Sequence, residues 1–421
     1  MVFESFSTAA AVVLGAIFVL AFIMGAIANK TNFCTMGAVS DWVNMGDLGR
    51  MRAWILAIAV AMLGVVVFES LGMINADGAF PPYRAAQFAW VEHLLGGLLF
   101  GIGMTYASGC GNKTLVRVGG GNIKSLMVLL VIAIIAFYMV NPLPGTSNTL
   151  YSLLFYGWTN PLAITMSGGQ DLGSIVASGE SAVTARLVIG LILGLALLVW
   201  AFKSADFRSS RDNILGGLVI GLVVVGAWYV TSNAQITDGM SDYEMRAFVQ
   251  EWDFLADDPE GRPAEAAPWS SQSFTFINPM GQSLRYVASG FDNSVLYIGV
   301  LALFGVILGS LFWALVTKSF RIEWFASFRD FVNHFIGAIL MGFGGVLAMG
   351  CTIGQGITGI STLALGGFLT FISIVLGAAL TMKVQYYKMV YEEEATFMKA
   401  LITGLVDLKL LPGSMRKLEA I

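Results

Sequence analysis

Long apolar runs separated by short polar breaks set the first reading of this chain. Nine runs read as spans: 8–28, 51–74, 93–107, 123–140, 184–202, 213–231, 295–317, 334–349 and 363–382. None shows the ten-residue alternation of a membrane β-strand. A lipid interior leaves only helices or closed barrels, because every backbone polar group must find its partner inside the protein. The pattern therefore predicts an all-α polytopic membrane protein with about nine transmembrane helices. The first run is too long for the apolar part of a cleavable leader and follows Glu4 rather than a basic cluster, so it reads as a retained span. Runs three and eight are short and glycine-rich, and each enters a Gly-Cys turn. That is the pattern of broken or re-entrant half-helices near the bilayer middle.

Those two runs are copies of each other. The first copy reads HLLGGLLFGIGMTYASGCGNKTLVRVGGG and the second HFIGAILMGFGGVLAMGCTIGQGITGIS. His93 precedes Cys110 by 17 residues, as His334 precedes Cys351. Gly96, Gly101, Gly103 and Gly109 map onto Gly337, Gly342, Gly344 and Gly350 at a constant offset of 241. Duplication of this kind predicts two repeats, and an odd number of crossings between equivalent helices inverts the second. The predicted division is 1–145 for the first inverted repeat, 146–210 for an extracytoplasmic segment and linker span, 211–382 for the second repeat and 383–421 for a cytoplasmic tail. A polar, acidic insertion at 232–272 reads as an extracytoplasmic cap.

Charge sets the orientation. Of 23 Lys and Arg, 18 fall in the connections after spans one, three, five and seven and in the tail. Basic loops stay in the cytoplasm. The prediction is a multi-pass inner-membrane protein with its N-terminus outside and its C-terminus inside. Residues are 57% hydrophobic and only 12% charged, against roughly 25% charged in soluble domains. Trp90, Trp200, Trp228 and Trp324 near span ends fit an interfacial belt. Three cysteines with no CxxC argue against a disulfide scaffold or a structural zinc site. A haem ligand set and a nucleotide-binding loop are missing too. No cofactor, no enzyme activity and no nucleic-acid partner are predicted.

The chemistry lies at three cysteine turns. Glycines let backbone amides approach a ligand closely, and a half-helix starting at the turn points free N–H groups and a positive dipole end at it. This suits an anion, and uncharged thiols add weak donors without repelling it. A helix N-terminus also lowers a thiol's pKa, so the two effects compete. The candidate substrate-binding residues are Cys34, Cys110, Cys351, Gly109, Gly111, Asn112, Gly350 and Thr352. Asn278 joins them as the residue replacing Cys34, if SFTFINPMGQSLRY matches NKTNFCTMGAVSDW with Met280-Gly281 on Met36-Gly37. His93 and His334 read as structural anchors at span starts, Glu69 as interfacial and Asp41 as a cap of the Cys34 turn.

NFCTMGAVSDW, YASGCGNKTLVRVGGG and AMGCTIGQGITGIS, on a glycine-rich nine-span repeat, resemble the YeeE/YedE family of sulfur-compound transporters over about 8–382. The resemblance implies thiosulfate uptake, with Cys34, Cys110 and Cys351 handing the ion along through S–H···S contacts. It also implies a cytoplasmic sulfur-carrier protein as partner. The 232–272 insertion and the 146–181 segment depart from the short members. Two other readings of the residues stay open: a soft-metal or selenium-compound carrier using the Cys and His side chains, and a membrane thiol redox sensor. For the first, each His lies about 25 Å from its Cys along a straight helix, so a shared site needs a fold-back.

Overall fold

The protein is described by a computed structural model over residues 1–256, 262–263 and 268–419. Of the predicted insertion, 257–261 and 264–267 lie outside the described residues. Among the described residues, nine helices are long and apolar enough to cross a membrane. The first half contains α1 (Phe6–Lys30), α2 (Thr35–Met45), α3 (Gly49–Ser70), α4 (Trp90–Tyr106), α5 (Gly111–Gly119) and α6 (Ile123–Val140). A peripheral helix, α7 (Glu180–Phe202), follows and packs on α3. The second half contains α8 (Arg211–Ser232), α9 (Ile277–Ala288), α10 (Ile298–Val316), α11 (Phe328–Leu347), α12 (352–361, π-helical over Gly354–Gly359) and α13 (Leu365–Val390). A short tail helix, α14 (Phe397–Asp407), lies on α13.

Polar caps start these helices where the apolar pattern alone leaves the ends undefined. Ser5 accepts from the Thr8 amide, Asn122 from Ser125 and Ser327 from Asp330. Each satisfies a donor that the first helical turn leaves free.

The two ends of the bundle differ in chemistry. At the basic end, Lys124 pairs with Asp330 at 2.9 Å and Lys113 Nζ donates to Asn32 at 3.0 Å, while Arg52 donates to the Trp200 carbonyl. At the other end, called here the cap end, residues of the insertion pack on Phe6. Val2–Phe3 pairs in parallel with Gln235–Thr237, which pairs antiparallel with Asp242–Glu244.

A buried ion cluster also ties the cap end. Arg84 bonds both carboxylate oxygens of Glu69 at 2.5 and 2.9 Å, and Arg186 bonds Glu69 at 3.0 Å and Asp171 at 2.8 and 3.1 Å. Asp77 completes it at 3.0 Å from Arg84. Glu69 is thus a buried partner of two arginines, not an exposed interfacial residue. The cluster pins the 71–89 connection to the segment around Asp171, which in turn bridges to Ala364 before α13.

Helix pairings exchange between the halves. α1 packs on α10 as α8 packs on α3, and α4 packs on α13 as α11 packs on α6. The same exchange relates α2 on α13 to α9 on α6, and α5 on α10 to α12 on α3. At the centre α4 and α11 cross antiparallel through their duplicated glycines. A Cβ on Gly96 would lie 2.7 Å from the Gly344 carbonyl oxygen, and one on Gly344 2.6 Å from that of Gly96. Gly103 and Gly337 repeat the contact at 2.6 Å in both directions. Only glycine allows this backbone approach, the usual device for close helix contact in lipid. The reciprocity is that of an interface across a two-fold axis.

Candidate functional site

Each cysteine sits after the same local structure. The preceding helix ends with a residue in the left-handed region two positions before the cysteine: Asn32 (φ 51°), Ser108 (φ 57°) and Met349 (φ 55°). The residue after it then bonds back across the helix end. Phe33 N–H donates to Ala28 at 3.2 Å, Gly109 N–H to Met104 at 2.9 Å and Gly350 N–H to Gly345 at 2.8 Å. This closes the helix and re-aims the chain. The cysteine then starts a new helix. Cys34 is the N-cap of α2, Cys110 of α5, and Cys351 directly precedes α12.

The three thiols are free and almost fully buried. The Cys34 and Cys110 side chains interact directly, and Cys110 also neighbours the Thr352 hydroxyl. Gly111 packs on the far side, where a Cβ would lie 3.6 Å from Cys351 Cβ and 3.2 Å from Ile277. Cys34 faces the Gly37 amide and Cys110 the Lys113 amide, while Cys351 faces those of Gly354, Phe276 and Ile353. Phe276 is the N-cap of α9. Four helix N-termini therefore converge on the thiols, and their free N–H groups and dipoles present positive partial charge.

The Cys34 turn joins α1 to α2, the Cys110 turn α4 to α5 and the Cys351 turn α11 to α12, while Phe276 starts α9. On the basic side a cavity of about 250 Å³ reaches Cys34, lined by Arg50, Ser108, Lys113 and Arg117. Arg50 pairs with Asp41, so Asp41 anchors this guanidinium and does not cap the turn. On the opposite side Tyr83 packs on α12, where a Cβ on Gly359 would lie 3.3 Å from its ring, and burial holds its phenol far above the ordinary range, hence protonated.

Among the described residues, buried polar atoms near these turns lack a hydrogen-bond partner: Thr35 Oγ1, Asn112 Oδ1, Gln355 Oε1 and the Tyr83 hydroxyl. Such orphans are costly unless something visits them. Of the predicted residues, Cys34 adjoins Cys110, Cys110 adjoins Thr352, and Gly111 lies beside Cys351, while Asn112 adds its orphaned oxygen. Gly109 packs on Lys113, where a Cβ would lie 3.3 Å from Lys113 Cγ, and Gly350 packs on Gln355 and Thr275 at 3.2 and 3.3 Å. Asn278 has a buried Oδ1 with no partner among the described residues, and its neighbours Ile277 and Met280 pack on Gly111. The histidines stand apart. His93 Nδ1 bonds the Thr370 hydroxyl at 2.9 Å, and His334 Nδ1 the Asp330 carbonyl at 2.8 Å. Sequence reasoning missed Tyr83, Gln355 and Phe276. Gln355, a lone amide inside GCTIGQGITG, was the one legible signal among them.

The family described as sulphur transport matches residues 30–380. The thiosulfate transporter TsuA of Escherichia coli (strain K12) is 21% identical over 84% of this chain and 90% of its own length. The thiosulfate transporter TsuA of Spirochaeta thermophila is 22% identical over 85% of this chain and 94% of its own.

Proposed function

Since this chain belongs to the sulphur transport family and is a multi-pass membrane transporter of sulfur compounds, we propose that its substrate is thiosulfate, imported across the inner membrane between Cys34, Cys110 and Cys351. The observation that carries the reading is the meeting of three buried thiols with four helix N-termini. An oxyanion entering the core loses water, and the converging amides replace it as fixed donors. The terminal sulfur of thiosulfate is large and polarisable, and protonated thiols contact it through weak S–H···S bonds. Weakness is useful here, because a passing ion must bind well enough to enter and loosely enough to leave.

On this reading the ion passes Tyr83 and Cys351, crosses to Cys110 and Cys34, and leaves through the cavity of Lys113, Arg117 and Arg50. The two halves form inverted repeats, which the exchanged pairings and the glycine crossing support. The basic end faces the cytoplasm, which puts the N-terminus outside and the tail inside. A dianion moving into a negative interior opposes about 4.6 kcal/mol at 100 mV, from about 2.3 per charge. At the cap end Glu69 and Asp171 are engaged with arginine, and the buried Glu92 accepts from the Tyr151 and Thr159 hydroxyls at 2.7 Å; consumption of the ion by a cytoplasmic sulfur-carrier protein is the favoured drive.

Proteoliposomes test this. Radiolabelled thiosulfate should accumulate and radiolabelled sulfate should not, because sulfate lacks the soft terminal sulfur. Uptake equal in wild type and the Cys34→Ala/Cys110→Ala/Cys351→Ala protein would refute the thiol path.

A further inference from the structure

A second cavity, about 550 Å³, lies between the insertion and the 79–82 segment. Apart from the nine acidic residues of 232–272, the insertion carries only two basic side chains, Arg246 and Arg262, and both line this cavity. Trp269 lines it too. The residue is only 6% exposed, yet its indole N–H has no partner among the described residues. The ring is fixed edge-on against Phe6, at 5.2 Å between centroids, so the N–H is held in place. No carboxylate among the described residues pairs with Arg246. Arg262 has Asp253 at 3.5 Å, but both side chains are largely exposed, so that pair is weak and easily displaced. Phe80 and Pro82 form an apolar wall of the cavity, and Tyr83, one residue further, packs on Gly359 of α12, the helix that Cys351 precedes.

We propose that the insertion builds an anion-capture site at the mouth of the path, in which Arg246, Arg262 and the Trp269 N–H hold a doubly charged sulfur oxyanion before it passes Tyr83. The proposal rests on the transport reading above. Two guanidiniums and an immobile N–H match a dianion's oxygens, and a concave wall of low polarity strengthens their field. The cavity is large for one small oxyanion, which leaves room for part of its hydration shell. Asp253 competes with the ligand for Arg262.

Uptake of radiolabelled thiosulfate by the full chain in proteoliposomes, measured against concentration, tests the proposal. Arg246→Gln with Arg262→Gln should raise the half-saturating concentration about tenfold, an effect on KM that shrinks at high thiosulfate. Trp269→Phe should raise it a few-fold. Asp253→Asn should lower it, a sign that a merely structural role does not produce. An unchanged half-saturating concentration in the double arginine variant overturns the proposal. If that variant fails to fold, an unchanged value for Asp253→Asn overturns it. If the wild type takes up no thiosulfate, the substrate reading falls by itself. Equilibrium binding of radiolabelled sulfate in nanodiscs then decides the capture site: binding that depends on Arg246 and Arg262 upholds it, and binding indifferent to them overturns it.

Discussion

Cys110 and Cys351 occupy equivalent turns, yet their surroundings differ. Both follow a left-handed residue that ends one helix, and both start the next. Around Cys110 and Cys34 stand cations: Lys113 beside Gly109, Arg117 close by, and Arg50 against Gly37. Among the described residues the groups around Cys351 are neutral, namely the amides of Phe276, Ile353 and Gly354, with Thr275 and Gln355 nearby. The two turns thus present similar helix-end dipoles, while their side chains put cations on one side and neutral groups on the other. On the transport reading proposed above, a dianion in this field is drawn toward the basic end.

Four changes sharpen or break that comparison. The largest effect belongs to Cys110→Ala, because this thiol touches Cys34 and Thr352 at once. Uptake should fall at least tenfold while the protein still elutes as a folded species on size exclusion. A loss confined to Cys351→Ala would reverse the assignment of the central step. Next, Lys113→Met removes the buried cation and should slow uptake about five- to tenfold. An effect no larger than that of a surface lysine such as Lys409 would show that this field plays no part. Tyr83→Phe deletes one neutral donor on the Cys351 side and should cost about threefold in rate, readable as a change in KM with thiosulfate.

The smallest effect concerns pH and the ion cluster of the cap end. Burial alone would raise the carboxyls of Asp77 and Asp171, but Arg84 and Arg186 beside Asp77, and Arg186 bonded to Asp171, hold both below the ordinary range. A carboxyl depressed in the folded state adds stability that is complete above its unfolded pKa of about 3.9. That stability is lost as pH falls through the lower, folded value. The melting temperature should therefore be flat between about pH 7 and 5 and decline below about 4. Asp171→Asn should flatten that decline.

The spans, the duplication and the three cysteine turns were legible because each has a local signature. Apolar length marks a span, and glycine permits a close crossing, which Gly96 and Gly344 make through backbone contact on both sides. What the sequence hid is what depends on distant partners. Glu69 looked interfacial because nothing near it signals Arg84 or Arg186, 15 and 117 residues away. Asn278 was proposed through a motif match. Yet FINPMG is one residue longer than FCTMG between Phe and Gly, and the backbone brings Phe276 to the thiols instead.

The account stands on a sulfur anion occupying the space among the three thiols, and a selenium label reports that position most directly. Crystals of the protein loaded with selenosulfate should give an anomalous peak bounded by Cys34, Cys110 and Cys351, lost in the triple alanine variant. A peak confined to the protein surface, or one that persists when all three cysteines are gone, would contradict it.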